Sequence, residues 1–305
     1  MTTTRIGVDL GGTKIEAIAL VGGEIIARER VATPPGDYHG TLATIAGLVD
    51  RIATASGASG ADGATTVGVG TPGSVDRATG LHRNSNSTCL NGRPFEADLN
   101  AAVRFSVRTA NDANCFALSE AADGAAAGHH VVFGVILGTG VGGGVVFDGV
   151  VHEGGNGLGG EWGHIGLPHR DARDTAPRPC YCGRSDCLEQ YLSGPAIEAE
   201  YAAASGMACS LAEIAASVDA DEHARAVITR FHERLAESLV TVVDLLDPNA
   251  IVLGGGVSNL DSIYEVVPQL VHARAFGGSA ATPILRNAHG DSSGVRGAAW
   301  LWPDA

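Results

Sequence analysis

Residues 5–21 read Arg5-Ile-Gly-Val-Asp-Leu-Gly-Gly-Thr-Lys-Ile-Glu-Ala-Ile-Ala-Leu-Val21. Aliphatic residues on both sides of a polar glycine loop predict a strand, a turn and a second strand that ends at Gly22-Gly23. The pattern recurs at residues 131–149, where an apolar run leads into Gly138-Thr-Gly140 and a second apolar run follows. An internal duplication of this kind predicts two lobes that face each other across a cleft.

The remaining segments alternate between helical and strand patterns. Apolar spacing predicts a helix over 42–55, a short buried strand over 66–70 and an alternating edge strand over 103–109. Asn111-Asp112 follows that strand and can cap an alanine-rich helix, so Asp112 stands at the carboxyl end of a strand, where open α/β sheets bind ligands. Four further elements are predicted: a helix over 224–246, a strand over 250–253, a glycine turn at 254–256 and a C-terminal helix from residue 291.

The composition indicates a globular protein without a nucleic-acid or membrane partner. The 305 residues are 45% hydrophobic and 18% charged, a balance that excludes a disordered chain. Twenty basic and 34 acidic residues give a formal net charge of −14, so the surface repels phosphate backbones and anionic lipids. No export signal precedes the first strand, and the longest uncharged apolar stretch, 131–147, carries six glycines, so a cytoplasmic protein is expected.

Two stretches match the formula G-x-G-x-x-G, at residues 68–73 and 138–143. In dinucleotide-binding folds a helix begins directly after these glycines, so that its N-terminus meets the pyrophosphate. Here Pro72 interrupts the first stretch, and the β-branched pair Val145-Val146 continues the second as a strand. Neither stretch therefore predicts a dinucleotide-binding fold.

The glycine hairpins at residues 11–14 and 138–140 are instead predicted to bind phosphate. Glycines can turn successive backbone N–H groups towards an anion, and Thr13 and Thr139 add hydroxyl donors. Lys14, the only lysine of the chain, lies in the first loop. An ordinary tight hairpin is the alternative for each loop, and a leftover of an arginine-rich composition is the alternative for the lysine.

Three of the six cysteines lie within eight residues, in the pattern Cys180-x-Cys182-x4-Cys187. With His164 they make a set of three thiolates and one imidazole that suits a tetrahedral structural zinc. Plain buried thiols or a fortuitous disulfide are the alternatives. A zinc ion would fix the proline-rich loop 168–179 and orient the His164 ring, whose second nitrogen is then expected to meet a substrate hydroxyl.

Six motifs together resemble the ROK sugar kinases of the actin-like ATPase superfamily, and the resemblance covers essentially the whole chain. They are Asp9-Leu-Gly-Gly-Thr-Lys14, Asn111-Asp-Ala-Asn114, Gly138-Thr-Gly140, Glu161-Trp-Gly-His164, Cys180-Tyr-Cys-Gly-Arg-Ser-Asp-Cys-Leu-Glu189 and Gly254-Gly-Gly256. Within the family, residues 84–95 and 289–303 resemble the bacterial manno(fructo)kinase branch.

The resemblance implies an α/β protein with the two-lobed actin-like (ribonuclease H-like) ATPase fold. The expected lobes are residues 1–112 and 113–291, with a zinc-bound loop over 164–189 in the second. The apolar C-terminal helix, at about 292–305, must pack on something, which we expect to be the first lobe.

The resemblance also implies ATP-dependent phosphorylation of a hexose to its 6-phosphate, with fructose and mannose as the expected sugars. Asp112 is the expected base for the hydroxyl proton, with mere helix capping as the alternative. Sugar binding is implied for Gly73, Asn86, Asn111, Asp112, Glu161, His164 and Glu189, although either glutamate could be a solvated surface acid. ATP and Mg²⁺ are expected at Asp9 (to the metal through water), Gly11, Gly12, Thr13, Lys14, Gly138, Thr139, Gly140, Gly254, Gly255 and Gly256.

Other functions stay open. A glucokinase, or a kinase of N-acetylglucosamine or N-acetylmannosamine, is the main alternative, because motif spacing does not resolve the sugar. A sugar-responsive transcriptional regulator of the same family needs a DNA-binding extension, for which no room is expected before a first strand that starts within five residues of Met1. The expected assembly is a homodimer.

Overall fold

A computed structural model describes residues 3–58, 65–170, 174 and 176–303. The chain divides into two compact units. Unit 1 comprises residues 1–130, 144–160 and 288–305, and unit 2 comprises residues 131–143 and 161–287. Both units combine helices with strands, so the predicted α/β class is confirmed.

The elements follow the predicted order, with several additions. The first part of the chain forms β1 (Thr4–Leu10), β2 (Lys14–Val21), β3 (Glu24–Ala32), α1 (Tyr38–Ala55), β4 (Thr65–Thr71), β5 (Ser74–Val75), β6 (His82–Arg83), α2 (Phe95–Ala102), β7 (Val107–Asn111) and α3 (Asp112–Ala122). The rest forms β8 (Val131–Leu137), β9 (Val141–Phe147), β10 (Val150–Val151), α4 (Glu189–Leu192), α5 (Gly194–Ser205), α6 (Leu211–Ala216), α7 (Glu222–Leu246), β11 (Ala250–Gly254), α8 (Asp261–Arg274), β12 (Ile284–Arg286) and α9 (Ser293–Ala299).

The sheet of unit 1 has the strand order β3-β2-β1-β4-β7. β1 pairs antiparallel with β2 and parallel with β4, and β4 pairs parallel with β7. Side chains alternate between the two faces of a strand, so Ile6 and Val8 fill the core shared with α1 while Gly7 faces α9. A Cβ on Gly7 would lie 2.1 Å from the carbonyl oxygen of Val295, so only glycine lets α9 approach this closely.

Helix α3 belongs to unit 1, although it follows the expected lobe boundary at residue 112. It packs on α9 so closely that a Cβ on Gly297 would lie 1.6 Å from the carbonyl oxygen of Cys115. Near the end of α3, the buried carboxylate of Glu120 accepts a hydrogen bond of 2.9 Å from the backbone N–H of Ala288. These contacts tie the C-terminal segment to α3.

The segment predicted as a strand over 103–109 becomes a strand only at Val107. Helix α2 occupies the chain up to residue 102, and the next residues form a bend. Val103 and Phe105 are buried as loop residues, so their alternation with polar neighbours reflects insertion into the core and not a pleated strand. β7 lies at the edge of its sheet, as predicted.

The second sheet has the strand order β10-β9-β8-β11-β12. β11 pairs parallel with both β8 and β12, and β10 pairs antiparallel with β9, within which the chain passes from unit 2 to unit 1. The second predicted strand-turn-strand pattern is therefore present as β8 and β9. In unit 2 the long helix α7 packs against α5 and α8. Among the described residues, no helix is both long and apolar enough to cross a membrane.

Candidate functional site

The carboxyl ends of three parallel strands gather most of the site residues predicted in unit 1. Asp9, near the end of β1, lies opposite Gly70 of β4, which lies opposite Ala110 of β7. Asn111 and Asp112 follow directly at the start of α3. Because carboxyl ends of parallel strands share one edge of a sheet, the predicted base and the predicted metal-binding carboxylate lie at the same edge.

Asp9 is a partly buried carboxylate whose charge is incompletely compensated. Burial raises its pKa, and the carboxylates of Asp112 and Glu16 raise it further, to about 6, against the opposing effect of Lys14 and Arg30. Among the described residues, none donates a hydrogen bond to the side-chain carboxylate of Asp9. Such a carboxylate fits a site whose donors arrive with a ligand, such as the waters of a hydrated cation.

Asp112 is the first residue of α3 and is exposed. The side-chain oxygen of Asn111 accepts a hydrogen bond of 2.8 Å from the backbone N–H of Ala113, so the predicted cap is confirmed. Oδ1 of Asp112 accepts from the same N–H at 2.9 Å. A helix N-terminus favours the charged form of a carboxylate, so this position suits an ionised base within reach of a ligand.

The first glycine loop is a tight turn that is stabilised by hydrogen bonds from Thr33. The N–H of Gly11 donates to the carbonyl of Lys14 at 3.0 Å. Thr33, just after β3, donates from its hydroxyl to the carbonyl of Gly11 at 2.8 Å and from its N–H to the carbonyl of Thr13 at 3.0 Å. Gly12 and the two residues that follow it are exposed. This arrangement fits the phosphate-binding role predicted for the loop.

Gly73 lies beside the start of α3, whereas Asn86 lies nearer to the first glycine loop. Nδ2 of Asn111 donates to the carbonyl of Gly73 at 3.0 Å, and Gly73 has a φ of 83°, which favours glycine. Asn86 is exposed and lines a cavity of about 240 Å³ together with Gly12. Asn111 lines a different cavity of about 440 Å³. Unit 1 therefore brings Gly73, Asn111 and Asp112 together, while Asn86 lines a different cavity from Asn111.

In unit 2 the second glycine loop adjoins the predicted adenosine turn. The carbonyl of Gly138 accepts a hydrogen bond of 2.8 Å from the N–H of Gly194 at the start of α5. Gly255, with a φ of 83°, packs against Leu137 just before the loop, where its Cβ would lie 2.4 Å from a carbonyl oxygen. The predicted sites at 138–140 and 254–256 are thus neighbours within unit 2.

The three sugar-binding residues predicted in unit 2 lie around the same glycine loop. One carboxylate oxygen of Glu189 accepts a hydrogen bond of 3.1 Å from the N–H of Val141. Glu161 is exposed and precedes a one-turn 3₁₀ helix that ends at His164. This turn lies directly against β9, since a Cβ on Gly163 would be 1.8 Å from the carbonyl oxygen of Val141. Because it accepts the hydrogen bond from Val141, one oxygen of Glu189 also stabilises the end of the second glycine loop.

The predicted metal ligands form a compact cluster. Nδ1 of His164 lies 3.6 Å from Sγ of Cys180, Sγ of Cys182 lies 3.6 Å from Sγ of Cys187, and all four ligand atoms lie within 4.8 Å of one another. The cysteines are free thiols. Ligands at about 2.0 to 2.3 Å around a tetrahedral zinc would lie roughly 3.5 to 3.8 Å apart. The donor types and their separations therefore fit zinc.

The second nitrogen of His164 already has a partner, contrary to the expectation that it is open to a substrate hydroxyl. Nε2 lies 2.9 Å from the hydroxyl of Tyr181, and the two rings pack edge to face with centroids 5.0 Å apart. The phenol reaches this position because Tyr181 stands between Cys180 and Cys182. Its side chain is 79% exposed, so a sugar hydroxyl at Nε2 would have to displace an aromatic ring that lies at the surface and not in the core.

Replacing Cys187 by Ser is expected to remove the metal and to lower the thermal midpoint of unfolding by about 5 °C or more, because metal binding supplies folding free energy. Cys187 is 1% exposed. Metal analysis and thermal unfolding check this result, with Cys209→Ser, a partly exposed cysteine outside the cluster, as the matched control. Full zinc content and an unchanged midpoint in the Cys187 variant would refute the site.

The ion pairs that anchor the metal loop were missed by sequence reasoning. Arg178, two residues before Cys180, pairs with Glu200 of α5 at 3.1 Å and lies over the ring of Tyr191 at 4.1 Å. Arg234 of α7 reaches the same Glu200 carboxylate at 2.6 Å. The partners are 22 and 34 residues apart in the chain, and a single arginine in a proline-rich loop resembles a solvated charge.

Comparisons with known proteins agree with these features. A model of the ROK family matches residues 5–305. The N-acetyl-D-glucosamine kinase of Haemophilus influenzae (strain 86-028NP) is 41% identical over 304 residues, which cover 97% of this chain and 98% of that protein. The crystal structure of a ROK hexokinase from Thermus thermophilus matches with a TM-score of 0.86 and 30% identity, over 98% of this chain and 97% of that chain.

A second solved structure carries ligands. It is a ROK family glucokinase from Streptomyces griseus in complex with glucose and AMPPNP, which matches with a TM-score of 0.72 and 28% identity over 98% of each chain. The family match over nearly the whole length, the relative at 41% identity and the shared α/β architecture agree with one another. The chain belongs to the ROK family and has the mixed α/β fold of the actin-like ATPases.

Proposed function

We propose that the protein is an ATP-dependent kinase that phosphorylates the primary hydroxyl of N-acetyl-D-glucosamine. The observation that carries the proposal is the exposed Asp112 at the start of α3, at the same strand edge as Asp9, in a chain 41% identical to an N-acetyl-D-glucosamine kinase. Phosphoryl transfer requires mainly position and charge compensation, together with a base for the hydroxyl proton. The site residues offer these groups.

In the proposed reaction, the carboxylate of Asp112 accepts the proton of the sugar hydroxyl. The sugar oxygen forms a bond to the γ-phosphorus, the bond from that phosphorus to the β-phosphate oxygen breaks, and ADP leaves with the electron pair. Bound Mg²⁺ supplies charge compensation for the phosphates, and Asp9 would hold its waters. The loops at 11–14 and 138–140 hold phosphate oxygens, and the turn at 254–256 meets the adenosine.

The proposal assigns sugar recognition to the residues predicted for it from the sequence. Asn111 and Gly73 are positioned together in unit 1, and Glu161, His164 and Glu189 surround the glycine loop of unit 2. Amides and carboxylates discriminate among sugars, because each bound hydroxyl needs a donor and an acceptor. The expected homodimer stays a prediction, which light scattering of the purified protein tests.

Fructose, the sugar expected from residues 84–95 and 289–303, is not supported by the relatives. The Haemophilus influenzae protein is an N-acetyl-D-glucosamine kinase, and so are similar proteins of Pasteurella multocida and Vibrio cholerae, which are 42% and 41% identical to this chain. They favour the alternative that the sequence left open. The error arises because the branch resemblance rests on short segments, while the identity to the N-acetyl-D-glucosamine kinases spans 97% of the chain.

A coupled assay of ADP release tests the proposal with N-acetyl-D-glucosamine, N-acetyl-D-mannosamine, glucose, mannose and fructose. We expect kcat/KM for N-acetyl-D-glucosamine to exceed that for every other sugar by at least about tenfold. Glucose, mannose and fructose lack the amide, and N-acetyl-D-mannosamine carries it in the axial instead of the equatorial position, so each loses paired hydrogen bonds. A preference for fructose would instead support the sugar expected from residues 84–95 and 289–303. Absence of sugar-dependent ADP release with all five sugars would refute the kinase proposal.

A further inference from the structure

His82 is a buried titratable residue that the proposed mechanism does not use. Its side chain lies in β6 and is 1% exposed, with the ring packed edge to face on Phe95 at a centroid distance of 5.7 Å. The backbone of His82 is held on both sides, since its N–H donates to the carbonyl of Arg93 and its carbonyl accepts from the N–H of Gly92, each at 2.8 Å. The imidazole is therefore rigidly placed.

The two ring nitrogens of His82 differ sharply. Nε2 lies 2.8 Å from the carbonyl oxygen of Pro72. A carbonyl oxygen only accepts, so Nε2 carries the proton and Nδ1 presents a lone pair. Nδ1 is buried and has no hydrogen-bond partner in the described part of the chain. Burial lowers the pKa of the ring, which keeps it neutral. An apolar ring would avoid the unpaired nitrogen, so the bond to Pro72 is what this histidine supplies and an apolar residue would not.

The bond from His82 reaches the turn that contains Gly73. The chain after His82 lies against this turn so closely that a Cβ on Gly73 would be 2.4 Å from the carbonyl oxygen of Arg83. The carbonyl of Gly73 in turn accepts from Nδ2 of Asn111, the residue before Asp112. Two hydrogen bonds, joined through the backbone of Pro72-Gly73, therefore connect the buried ring to the start of α3.

We propose that His82 is a positioning residue for sugar binding, because its Nε2–H fixes the turn at Pro72-Gly73 and thereby the amide of Asn111 beside Asp112. This inference rests on the proposed function, in which Gly73 and Asn111 line the sugar site. His82 touches no reacting atom. Its effect is on the affinity for the sugar, and the nucleotide loops at 11–14 and 138–140 are left unchanged.

The test compares His82→Phe, which keeps a ring and removes the donor, with His82→Gln, whose side-chain amide can donate to Pro72 again. We expect His82→Phe to raise the dissociation constant and KM for N-acetyl-D-glucosamine about tenfold, the size expected for one lost orienting hydrogen bond, with KM for ATP changed less than about twofold. His82→Gln should recover most of the sugar affinity. Calorimetry of the nucleotide-free protein measures binding without turnover.

Three results would overturn the inference. The first is a sugar affinity of His82→Phe equal to that of wild type, and the second is a loss of sugar affinity in His82→Gln as large as that in His82→Phe. The third is the same loss of sugar affinity in the control His232→Phe. His232 is a 5% exposed histidine of unit 2, and the control removes its 3.1 Å contact with Ser262. If the phenylalanine ring prevents folding, His82→Met carries the same comparison. Amide hydrogen exchange at Gly73 should quicken in the apolar variant alone. This readout needs no activity, so it separates failure of the inference from failure of the kinase proposal.

Discussion

Replacing Asp112 by Asn is expected to lower kcat about 10³-fold while the affinity for the sugar stays within about threefold of wild type. The amide cannot take the hydroxyl proton, but it retains an oxygen and an N–H group that can hydrogen-bond the same hydroxyl. The fold should be kept, because an asparagine oxygen can still accept from the N–H of Ala113, as Oδ1 of Asp112 does at 2.9 Å. Steady-state kinetics and calorimetry measure the two effects separately.

Asp148→Asn provides the matched control for this change. Asp148 is also in unit 1, its side chain is 78% exposed, and its φ of 49° is one that asparagine tolerates. Loss of the Asp148 charge in this variant should change kcat by less than about twofold, because substitutions at exposed positions usually have small effects. A kcat for Asp112→Asn within tenfold of wild type would show that Asp112 only caps its helix, which was the alternative that the sequence left open.

The hairpins and the main helices were predictable because their signals are local. Apolar runs on both sides of Gly11-Gly12 and of Gly138-Thr-Gly140 specify strand, turn and strand without reference to distant residues. β3 was not predicted, since its residues, Glu24–Ala32, contain an apolar run followed by a charged run instead of a strict alternation, and none of them is fully buried. α2 was missed for another reason: it spans only eight residues, too few to show a helical period clearly.

Within the site, contiguous motifs were predictable and long-range partners were not. The capping of α3 by Asn111 and the cluster of three cysteines with His164 follow from residue types at short spacing. The bond from His82 to Pro72 does not, because it depends on how the hairpin of β5 and β6 folds back. The phenol of Tyr181 at His164 likewise depends on a turn direction that spacing does not encode.

Replacing Asp9 by Asn is expected to stabilise the protein and to abolish most of its activity. Burial and the carboxylates of Asp112 and Glu16 raise the pKa of Asp9 from an ordinary 3.8 to about 6, so its charged form costs folding free energy. At pH 7.5 that cost is about 2 to 3 kcal/mol, which the uncharged amide avoids. The thermal midpoint of the variant should therefore exceed that of wild type, measured without nucleotide or Mg²⁺.

The pH dependence of this gain has a definite sign. A carboxyl whose folded pKa is raised costs stability above that pKa, and the cost disappears as the pH falls below the unfolded value. The advantage of Asp9→Asn should thus be complete well above pH 6, shrink as the pH falls through 6 towards 3.8, and vanish only below about pH 3, where Asp9 is protonated in both states. The control Asp50→Asn, whose side chain is 61% exposed, should shift the free energy of unfolding by less than about 0.5 kcal/mol at either pH.

The activity of Asp9→Asn should move in the opposite direction to its stability. If Asp9 holds the waters of the bound cation, removal of its charge should lower kcat/KM for ATP at least about 10²-fold and raise the Mg²⁺ concentration needed for half-maximal rate. Wild-type activity should decline below pH 6, as Asp9 gains a proton. A destabilised variant would contradict the electrostatic account of Asp9, and a stabilised variant with normal kcat/KM for ATP would contradict its role at the metal. The proposed role of Asp9 requires both results together: Asp9→Asn must be more stable than wild type and must use ATP less efficiently. Asp9 would then be a carboxylate that destabilises the fold when ionised and is needed in that form to bind its ligand.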